Sequence, residues 1–189
     1  MAKAYKLFRI KKTEPDKIFP LFVDADTEIP FGKWIEAKCG ERTNNGKVKS
    51  KLGALAFRPG WHLNADMPYV THIGIKGSSG KIEYLNPNHI WCEVEYSDTI
   101  NYQDKANLNG RNKKGIIITK NAYLTFVPEN GFYRYKTNPN MFGEWIIVGA
   151  IKVNRIISDE EVKAICNQYG VEPLPRYNKN FEVAYKVAN

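Results

Sequence analysis

Ile90-Trp-Cys-Glu-Val-Glu-Tyr96 is the clearest strand signal in this chain. Neighbouring side chains point to opposite faces of a strand, so the even-numbered residues share one face and Trp91, Glu93 and Glu95 share the other. Two carboxylates on one face could serve acid/base chemistry. A solvated sheet face beside Trp91 explains the same pattern without chemistry, and we favour that interpretation. The stretch therefore predicts an internal strand with one apolar face.

Two later stretches predict a central strand and a helix. Glu144-Trp-Ile-Ile-Val-Gly-Ala-Ile151 is almost continuously apolar after its first residue, which is typical of a buried central strand. Ser158-Asp-Glu-Glu161 is a capping box that precedes an apolar stripe at helical spacing, and Gly170 supplies a stop signal. This pattern predicts the principal helix at about residues 159–169.

The start of the chain predicts a hairpin. Residues 4–11 alternate between apolar and charged side chains, and Ile18-Phe-Pro-Leu-Phe-Val23 follows the turn-forming Thr13-Glu-Pro-Asp16. With the later elements, this organisation predicts an α+β fold: a single domain over residues 1–175 with a twisted, mostly antiparallel sheet and few helices. Residues 176–189 are expected to form a C-terminal tail.

The composition excludes several classes of protein. The 189 residues are 43% hydrophobic, which suffices for one substantial core. The three cysteines are far apart and lack the spacing of a disulfide framework or a zinc site, so a reducing cytoplasm fits best. No apolar run approaches the roughly 20 residues that span a bilayer, and no membrane partner is expected. The sequence leaves the oligomeric state open.

The net charge of +8 and a pI near 9.3 favour a polyanionic partner such as nucleic acid, although solubility alone explains many basic proteins. Lysines recur at every second position from 47 to 51. This pattern predicts either a phosphate-binding ladder or an edge strand whose lysines protect it from aggregation. The polar stretch 101–120 predicts a mobile basic loop, and Arg134 and Lys136 alternate with tyrosines. The candidate nucleic-acid contacts are Lys47, Lys49, Lys51, Arg111, Lys113, Lys114, Arg134 and Lys136.

The residue types of a nucleotide site cluster between positions 58 and 72. Arg58 offers a planar fork of donors for phosphate, and Trp61 and Tyr69 are rings on which a base or nicotinamide can stack. His62 and His72 could transfer protons near neutral pH. The alternative is that these residues turn the chain and fill the core. A three-histidine metal site is not expected, because the histidines lack metal-ligand spacing.

Glu144 is the only charge at the entrance to a strongly apolar strand. A carboxylate at such a rim is placed either to meet a ligand with a raised pKa or to face water as the first residue of the strand.

Five blocks carry a resemblance to a known family: Leu52-Gly-Ala-Leu-Ala-Phe-Arg-Pro-Gly-Trp-His-Leu63, Tyr69-Val-Thr-His-Ile73, Ile90-Trp-Cys-Glu-Val-Glu95, Arg134-Tyr-Lys-Thr-Asn-Pro-Asn-Met141 and Glu144-Trp-Ile-Ile-Val-Gly-Ala-Ile-Lys-Val153. They resemble an uncharacterised family carried by bacteriophages and mobile elements, in some cases as a domain of very large polyvalent proteins. The resemblance covers most of residues 1–175. It implies a bacterial cytoplasmic setting and no established activity.

The order of residues is also similar to the pattern of ADP-ribosyltransferase folds. That similarity implies that Arg58 or His62 would contact NAD, that Tyr69 would stack and that Glu144 would be the catalytic glutamate. The chain departs from the pattern, because it lacks the His-Gly-Thr and Ser-Thr-Ser motifs and its one Glu-x-Glu, Glu93 to Glu95, stands elsewhere.

Two functions are therefore expected from the sequence. The first is a basic phage accessory protein, in an anti-defence role or a related one, that needs no cofactor and binds nucleic acid, a nucleotide-containing ligand or a host defence protein. The alternative is an NAD- or RNA-processing enzyme centred on Arg58, His62, His72 and Glu144. Whether the chain is catalytic at all is left open at this stage.

Overall fold

The computed structural model describes residues 1–50, 53–118, 121–138 and 140–178. In chain order its elements are β1 (Ala2–Lys11), β2 (Glu14–Phe19), β3 (Trp34–Glu36), β4 (Trp61–Asn64), β5 (Ile75–Lys76), β6 (Ile82–Tyr84), β7 (His89–Tyr96), β8 (Ile100–Asn101), α1 (Gln103–Asn109), β9 (Gly131–Tyr135), β10 (Trp145–Val148), β11 (Ala150–Ile156) and α2 (Asp159–Gln168). None of the helices in these ranges is long and apolar enough to cross a membrane.

One large sheet dominates the fold, and its order is β3-β11-β7-β1-β4-β10-β9-β8, with β2 added to β1. Its longest ladder joins β1 to β7, from Ala2 opposite Tyr96 to Arg9 opposite His89. The pairs are antiparallel except for β8 with β9. Strands β5 and β6 form a separate hairpin. The predicted α+β class and the predicted strand at 90–96 are confirmed.

A single residue, Gly149, separates β10 from β11 and redirects the chain. Before the bend β10 pairs with β4 and β9, and after it β11 pairs with β7 and β3. Two strands that are adjacent in the chain are therefore separated by β7, β1 and β4 in the sheet. A side chain is excluded at the bend, because a Cβ on Gly149 would lie 2.0 Å from the Pro128 carbonyl oxygen. The prediction of one strand over 144–151 was wrong in this respect, since two strands share that run.

Two apolar clusters stabilise the sheet from its two faces. The first cluster takes alternate residues of each strand on one face of the sheet. It includes Phe8, Leu63, Val94, Ile146 and Val153. The second cluster lies on the other face and is covered by loops and α2. Its members include Leu7, Trp91, Tyr133, Trp145 and Ile147.

Helix α2 begins where the capping box places it. The Ser158 hydroxyl accepts a hydrogen bond from the Glu161 backbone N–H, and the Glu161 carboxylate accepts one from the Ser158 N–H. Val162 and Cys166 face the core. Just beyond this helix, Arg176 pairs with Asp159 at 2.6 Å, so the first residue of the predicted tail is held against the domain. Residues 179–189 of that tail lie outside the described ranges.

Two expectations from the sequence differ from the fold. The stretch 101–120 contains helix α1 and a tight turn, because Ala106 is fully buried and the Gln103 side chain bonds both backbone groups of Arg134. The second strand of the opening hairpin runs from Glu14 to Phe19 rather than from 18 to 23. Its pairing ends where Phe19 meets Arg9, immediately before Pro20, which has no backbone N–H.

Strand β1 changes partner along one edge, and this divides the sheet. Near its start Tyr5 pairs with Asn64 of β4, whereas near its end Arg9 pairs with Phe19 of β2. Between these two points β4 and β2 diverge from each other. The divergence opens a gap beside Lys6 and Leu7, and the candidate site lies in it.

Candidate functional site

A cavity of about 490 Å³ opens at the divergence of β2 and β4 from β1. Its wall brings together four residues that the sequence predicted as one site, namely Arg58, Trp61, His62 and His72. Much of the remaining lining is apolar or aromatic and includes Leu21, Ile29, Ile35, Trp91, Tyr135 and Trp145. A largely apolar pocket with a few polar groups is the usual form of a small-molecule site.

Gly60 brings the predicted cluster into the cavity wall. Its φ is +120°, which disfavours a residue with a side chain, and a Cβ there would lie 2.3 Å from Ile147 Cγ2. The turn leads directly into β4, where Trp61 pairs with Val148 and His62 with Ile147 of β10. The Pro-Gly pair thus turns the chain, as the alternative interpretation held, and delivers Trp61 and His62 to the cavity.

Arg58 is fixed in place at the cavity wall. Its guanidinium carbon lies 3.8 Å from the centre of the Tyr135 ring, and its Nε donates a hydrogen bond of 3.2 Å to the Ala122 carbonyl. A cation stacked on an aromatic ring loses little conformational freedom when it binds an anion. Arg58 therefore supplies an oriented positive charge.

His62 carries a neutral imidazole. Burial, followed by the positive charges of Lys6 and Arg58, lowers the pKa of His62 to about 3. Its Nδ1 lies 3.2 Å from the Gly60 carbonyl oxygen. A carbonyl only accepts hydrogen bonds, so Nδ1 carries the hydrogen and Nε2 remains an acceptor. At neutral pH this ring can accept a hydrogen bond from a ligand, but it has no excess proton to donate.

The two histidines meet at a shared tryptophan. The rings of His62 and His72 both stand edge-on to Trp145, with centroid distances of 6.1 Å and 5.3 Å. His72 is the more exposed of the two, and desolvation lowers its pKa. The Trp145 indole N–H is buried and has no hydrogen-bond partner among the residues that the structure describes. From the sequence, Trp145 was predicted only as part of an apolar strand.

Lys6 is a cavity residue that the sequence analysis missed. It lies on the same face of β1 as the buried residues Ala4 and Phe8, and its Nζ donates a 3.1 Å hydrogen bond to the His62 carbonyl. That carbonyl belongs to the part of β4 that has separated from β1. Burial lowers the pKa of Lys6 to about 8. The sequence did contain a signal for Lys6, because it is a charged residue between Ala4 and Phe8 on an otherwise apolar face of the strand.

Glu144 and Tyr69 do not line this cavity. Both line a second, shallow cleft beside Phe142, and the Tyr69 ring stands edge-on to Phe142 at 6.5 Å. Glu144 pairs with Arg134 at 3.5 Å. Arg134 is on the opposite face of β9 from Tyr135, which lines the cavity. The structure therefore gathers Arg58, His62 and His72 but does not bring Glu144 to them.

Most of the predicted basic contacts lie on exposed loops. Lys47 and Lys49 flank the buried Val48, and Lys49 pairs with Glu41 at 3.0 Å. Three further predicted contacts are exposed on a separate tight turn, namely Arg111, Lys113 and Lys114. Lys136 is half-buried. Lys51 lies outside the described residues.

Contacts through two aromatic rings connect the basic loops. The Arg42 guanidinium lies 4.1 Å from the centre of the Phe57 ring, and Phe57 stands edge-on to Tyr123 at 6.5 Å. The Tyr123 carbonyl in turn accepts a 3.0 Å hydrogen bond from the Asn109 side chain, two residues before Arg111. We name Arg42, Phe57, Tyr123 and Arg111 the basic-aromatic surface. Arg42 was not among the predicted contacts.

The paired carboxylates of β7 are held in ion pairs. Glu93 lies 3.1 Å from Lys3 and 3.6 Å from Arg155, and Glu95 lies 2.6 Å from Lys152. The ion pairs explain the two carboxylates without acid/base chemistry. The predicted solvated face was wrong at Trp91, which is 4% exposed and belongs to the core. In the ranges that the structure describes, no group of three or more histidine, cysteine or acidic residues is arranged to hold a metal ion.

Comparison of the chain with protein-family models, with curated proteins and with solved structures gave no match. The resemblance to a phage family thus stays a prediction.

Proposed function

We propose that this protein binds a nucleotide-containing small molecule in the cavity between β2 and β4. The observation that carries the proposal is the convergence of Arg58, Trp61, His62 and His72 on one cavity of about 490 Å³. Small-molecule sites in proteins measure about 300–1,000 Å³.

Arg58, His62 and the tryptophan rings of the cavity can each contact one part of a nucleotide, whereas Asp24, Glu28 and Glu36 in its wall do not favour phosphate. Arg58 supplies a fixed cation for a phosphate group. The rings of Trp61, Trp91 and Trp145 supply flat apolar walls for a base. Nε2 of His62 accepts a hydrogen bond from a base amino group or a ribose hydroxyl.

The electrostatics support binding over turnover. An imidazole with a pKa of about 3 is a weak base and holds no proton to donate near neutral pH. Glu144, the carboxylate proposed for an NAD-processing enzyme, is paired with Arg134 at 3.5 Å and does not line the cavity. NAD accordingly enters the proposal as a candidate ligand. In the phage setting, the protein would act as an accessory or anti-defence factor through such a ligand or a host protein.

Calorimetric titration with the four ribonucleoside monophosphates and NAD tests the proposal. Arg58→Ala should weaken binding about 10- to 100-fold, the usual effect of losing a charged hydrogen bond of about 1.5–3 kcal/mol. Arg134→Ala is the matched control, because it removes the same group from a residue that does not line the cavity. His72→Ala is a second cavity variant on an exposed residue, should Arg58→Ala fail to fold. No binding by the wild type, or equal losses in Arg58→Ala and Arg134→Ala, contradicts the proposal.

The basic-aromatic surface favours a second candidate function, the binding of single-stranded nucleic acid. Arginine stacked on an exposed ring, with lysines nearby, is a typical combination for holding a strand without sequence preference. Phe57 and Tyr123 are both half-exposed and in contact. Such binding weakens steeply with salt. The logarithm of the binding constant falls with the logarithm of the salt concentration, with a slope of about −0.7 for each phosphate neutralised.

A salt series with labelled single-stranded DNA and RNA separates the two candidates. Strand binding at the basic-aromatic surface predicts a steep salt dependence and about a 10-fold loss in Phe57→Ala, since stacking contributes about 1–3 kcal/mol per base. Arg58→Ala reports on the cavity and Phe57→Ala on the surface. Salt-independent binding, or binding that Phe57→Ala leaves unchanged, contradicts the second candidate.

A further inference from the structure

Lys6 is an unusual lysine because of where the sheet places its amine. The residue lies on one face of β1 between Ala4 and Phe8, both fully buried. Its Nζ lies 5.1 Å from the centre of the Trp61 ring and 5.5 Å from that of Phe8. The side chain retains some exposed surface, and it lines the cavity.

The Lys6 amine has a hydrogen-bond acceptor but no carboxylate partner among the described residues. Its hydrogen-bond acceptor in the structure is the His62 carbonyl at 3.1 Å. Among the described residues no carboxylate forms an ion pair with Lys6, whereas Lys3, Lys11, Lys17 and Lys152 all have one. The carbonyl and the two rings attract an ammonium, but burial without a counter-ion opposes the charge and lowers the pKa of Lys6 to about 8.

We propose that Lys6 is a carbonyl-reactive amine, and that the cavity accepts ligands bearing an aldehyde or ketone, which Lys6 captures as an imine. Neutral lysine amines in apolar pockets are the nucleophiles of Schiff-base chemistry. The Lys6 nitrogen forms a bond to the carbonyl carbon, and the carbon–oxygen double bond opens to give a carbinolamine. The oxygen then leaves as water and carries away both amine hydrogens, so no oxidant or reductant is needed. The reaction is reversible.

This inference shares its cavity with the proposed function, and it rests on small molecules entering that cavity. It does not depend on a nucleotide. Ribose in its open form, an oxidised sugar or an aromatic aldehyde offers the same reactive group, and the Trp61 ring, 5.1 Å from the Lys6 amine, favours an aromatic one.

Reductive trapping tests the inference directly. The protein is incubated with benzaldehyde and cyanoborohydride between pH 6 and pH 10, and the modified lysines are quantified by peptide mass spectrometry. Lys12, which is exposed and follows β1 directly, is the internal reference. Because its pKa is lowered to about 8, Lys6 should be labelled at least about 10-fold faster than Lys12 at that pH. Half-maximal labelling of Lys6 is expected near pH 8.

Two variants separate the outcomes. Lys6→Met removes the amine but keeps an apolar chain of similar length, and it should abolish the fast labelling; Lys12→Met should leave that labelling intact. Labelling of Lys6 no faster than of Lys12 in the folded wild type overturns the inference, and it would mean that Lys6 only satisfies the His62 carbonyl. Fast labelling without nucleotide binding would contradict the proposed function alone, and nucleotide binding without fast labelling would contradict this inference alone.

Discussion

The buried imidazole of His62 should make the protein less stable as the pH is lowered. One substitution should remove this contribution. We consider His62→Gln, because a glutamine amide can still donate a hydrogen bond to the Gly60 carbonyl and does not titrate. The wild-type pKa falls from 6.5 to about 3 on folding. Between these two values the unfolded chain binds a proton that the folded chain does not, so stability falls as the pH is lowered.

The magnitude follows from the same two values. Each pH unit within this interval changes the free energy of unfolding by at most about 1.4 kcal/mol. At pH 5 the imidazole of the unfolded chain is already mostly protonated, and the cost from His62 reaches about 2 kcal/mol. His62→Gln should therefore lose about 2 kcal/mol less than the wild type between pH 7.5 and pH 5. The variant should be less stable at pH 7.5, where the lost ring contacts dominate.

Urea unfolding followed by tryptophan fluorescence at each pH measures this difference. His89→Gln is the comparison variant, because burial also lowers the pKa of His89 to about 4, but at the start of β7, next to Arg176. It should also lose less stability than the wild type on acidification, and its effect should add to that of His62→Gln. Parallel stability curves for the wild type and His62→Gln between pH 5 and pH 7.5 would refute a neutral, buried His62.

Three further predictions concern the fold and its thiols. Gly149→Ala should lower the free energy of unfolding by about 3 kcal/mol or prevent folding, because its Cβ would lie 2.0 Å from a backbone oxygen; urea unfolding measures this, and a loss below about 1 kcal/mol would contradict the bend. Ser158→Ala should cost about 1 kcal/mol through the lost N-cap, measured in the same way, and an unchanged midpoint would show that the cap contributes nothing. Cys39 is exposed, so a thiol reagent should titrate one thiol in the native protein and three in denaturant; two or more native thiols would contradict the burial of Cys92 and Cys166.

Local signals explain the parts of the fold that the sequence predicts well. The alternation over residues 90–96 matches β7, and the capping box at Ser158 matches the start of α2. Both depend on residues close together in the chain. Helix α1 was missed because what stabilises it is distant, namely the buried Ala106 and the bonds from Gln103 to Arg134 on β9.

The break at Gly149 shows where an apolar run misleads. Residues 145–151 are uniformly apolar, and both β10 and the start of β11 are buried, so hydrophobicity alone does not reveal two strands. What decides the break is the close approach of the Pro128 carbonyl from a neighbouring loop. That contact depends on tertiary structure and leaves no local pattern.

Part of the candidate site was predictable because some of its residues are close together in the sequence. Arg58, Trp61 and His62 are neighbours in sequence and enter the cavity together through one turn. Glu144 was joined to them only by the resemblance, and strand alternation places it with Arg134 on the other side of the sheet from Trp145. The cavity itself arises from a change of partner along β1, which the sequence does not disclose.

The central claim is that a small ligand enters the cavity, and the indole N–H signals of the four tryptophans test it most directly. Trp61, Trp91 and Trp145 line the cavity, whereas Trp34 is 45% exposed on β3 and serves as a built-in reference. In a titration with a nucleoside monophosphate followed by ¹H–¹⁵N NMR, the signals of Trp61 and Trp145 should shift in a saturable manner while that of Trp34 stays in place. Four unmoved signals, or a shift confined to Trp34, would contradict the account.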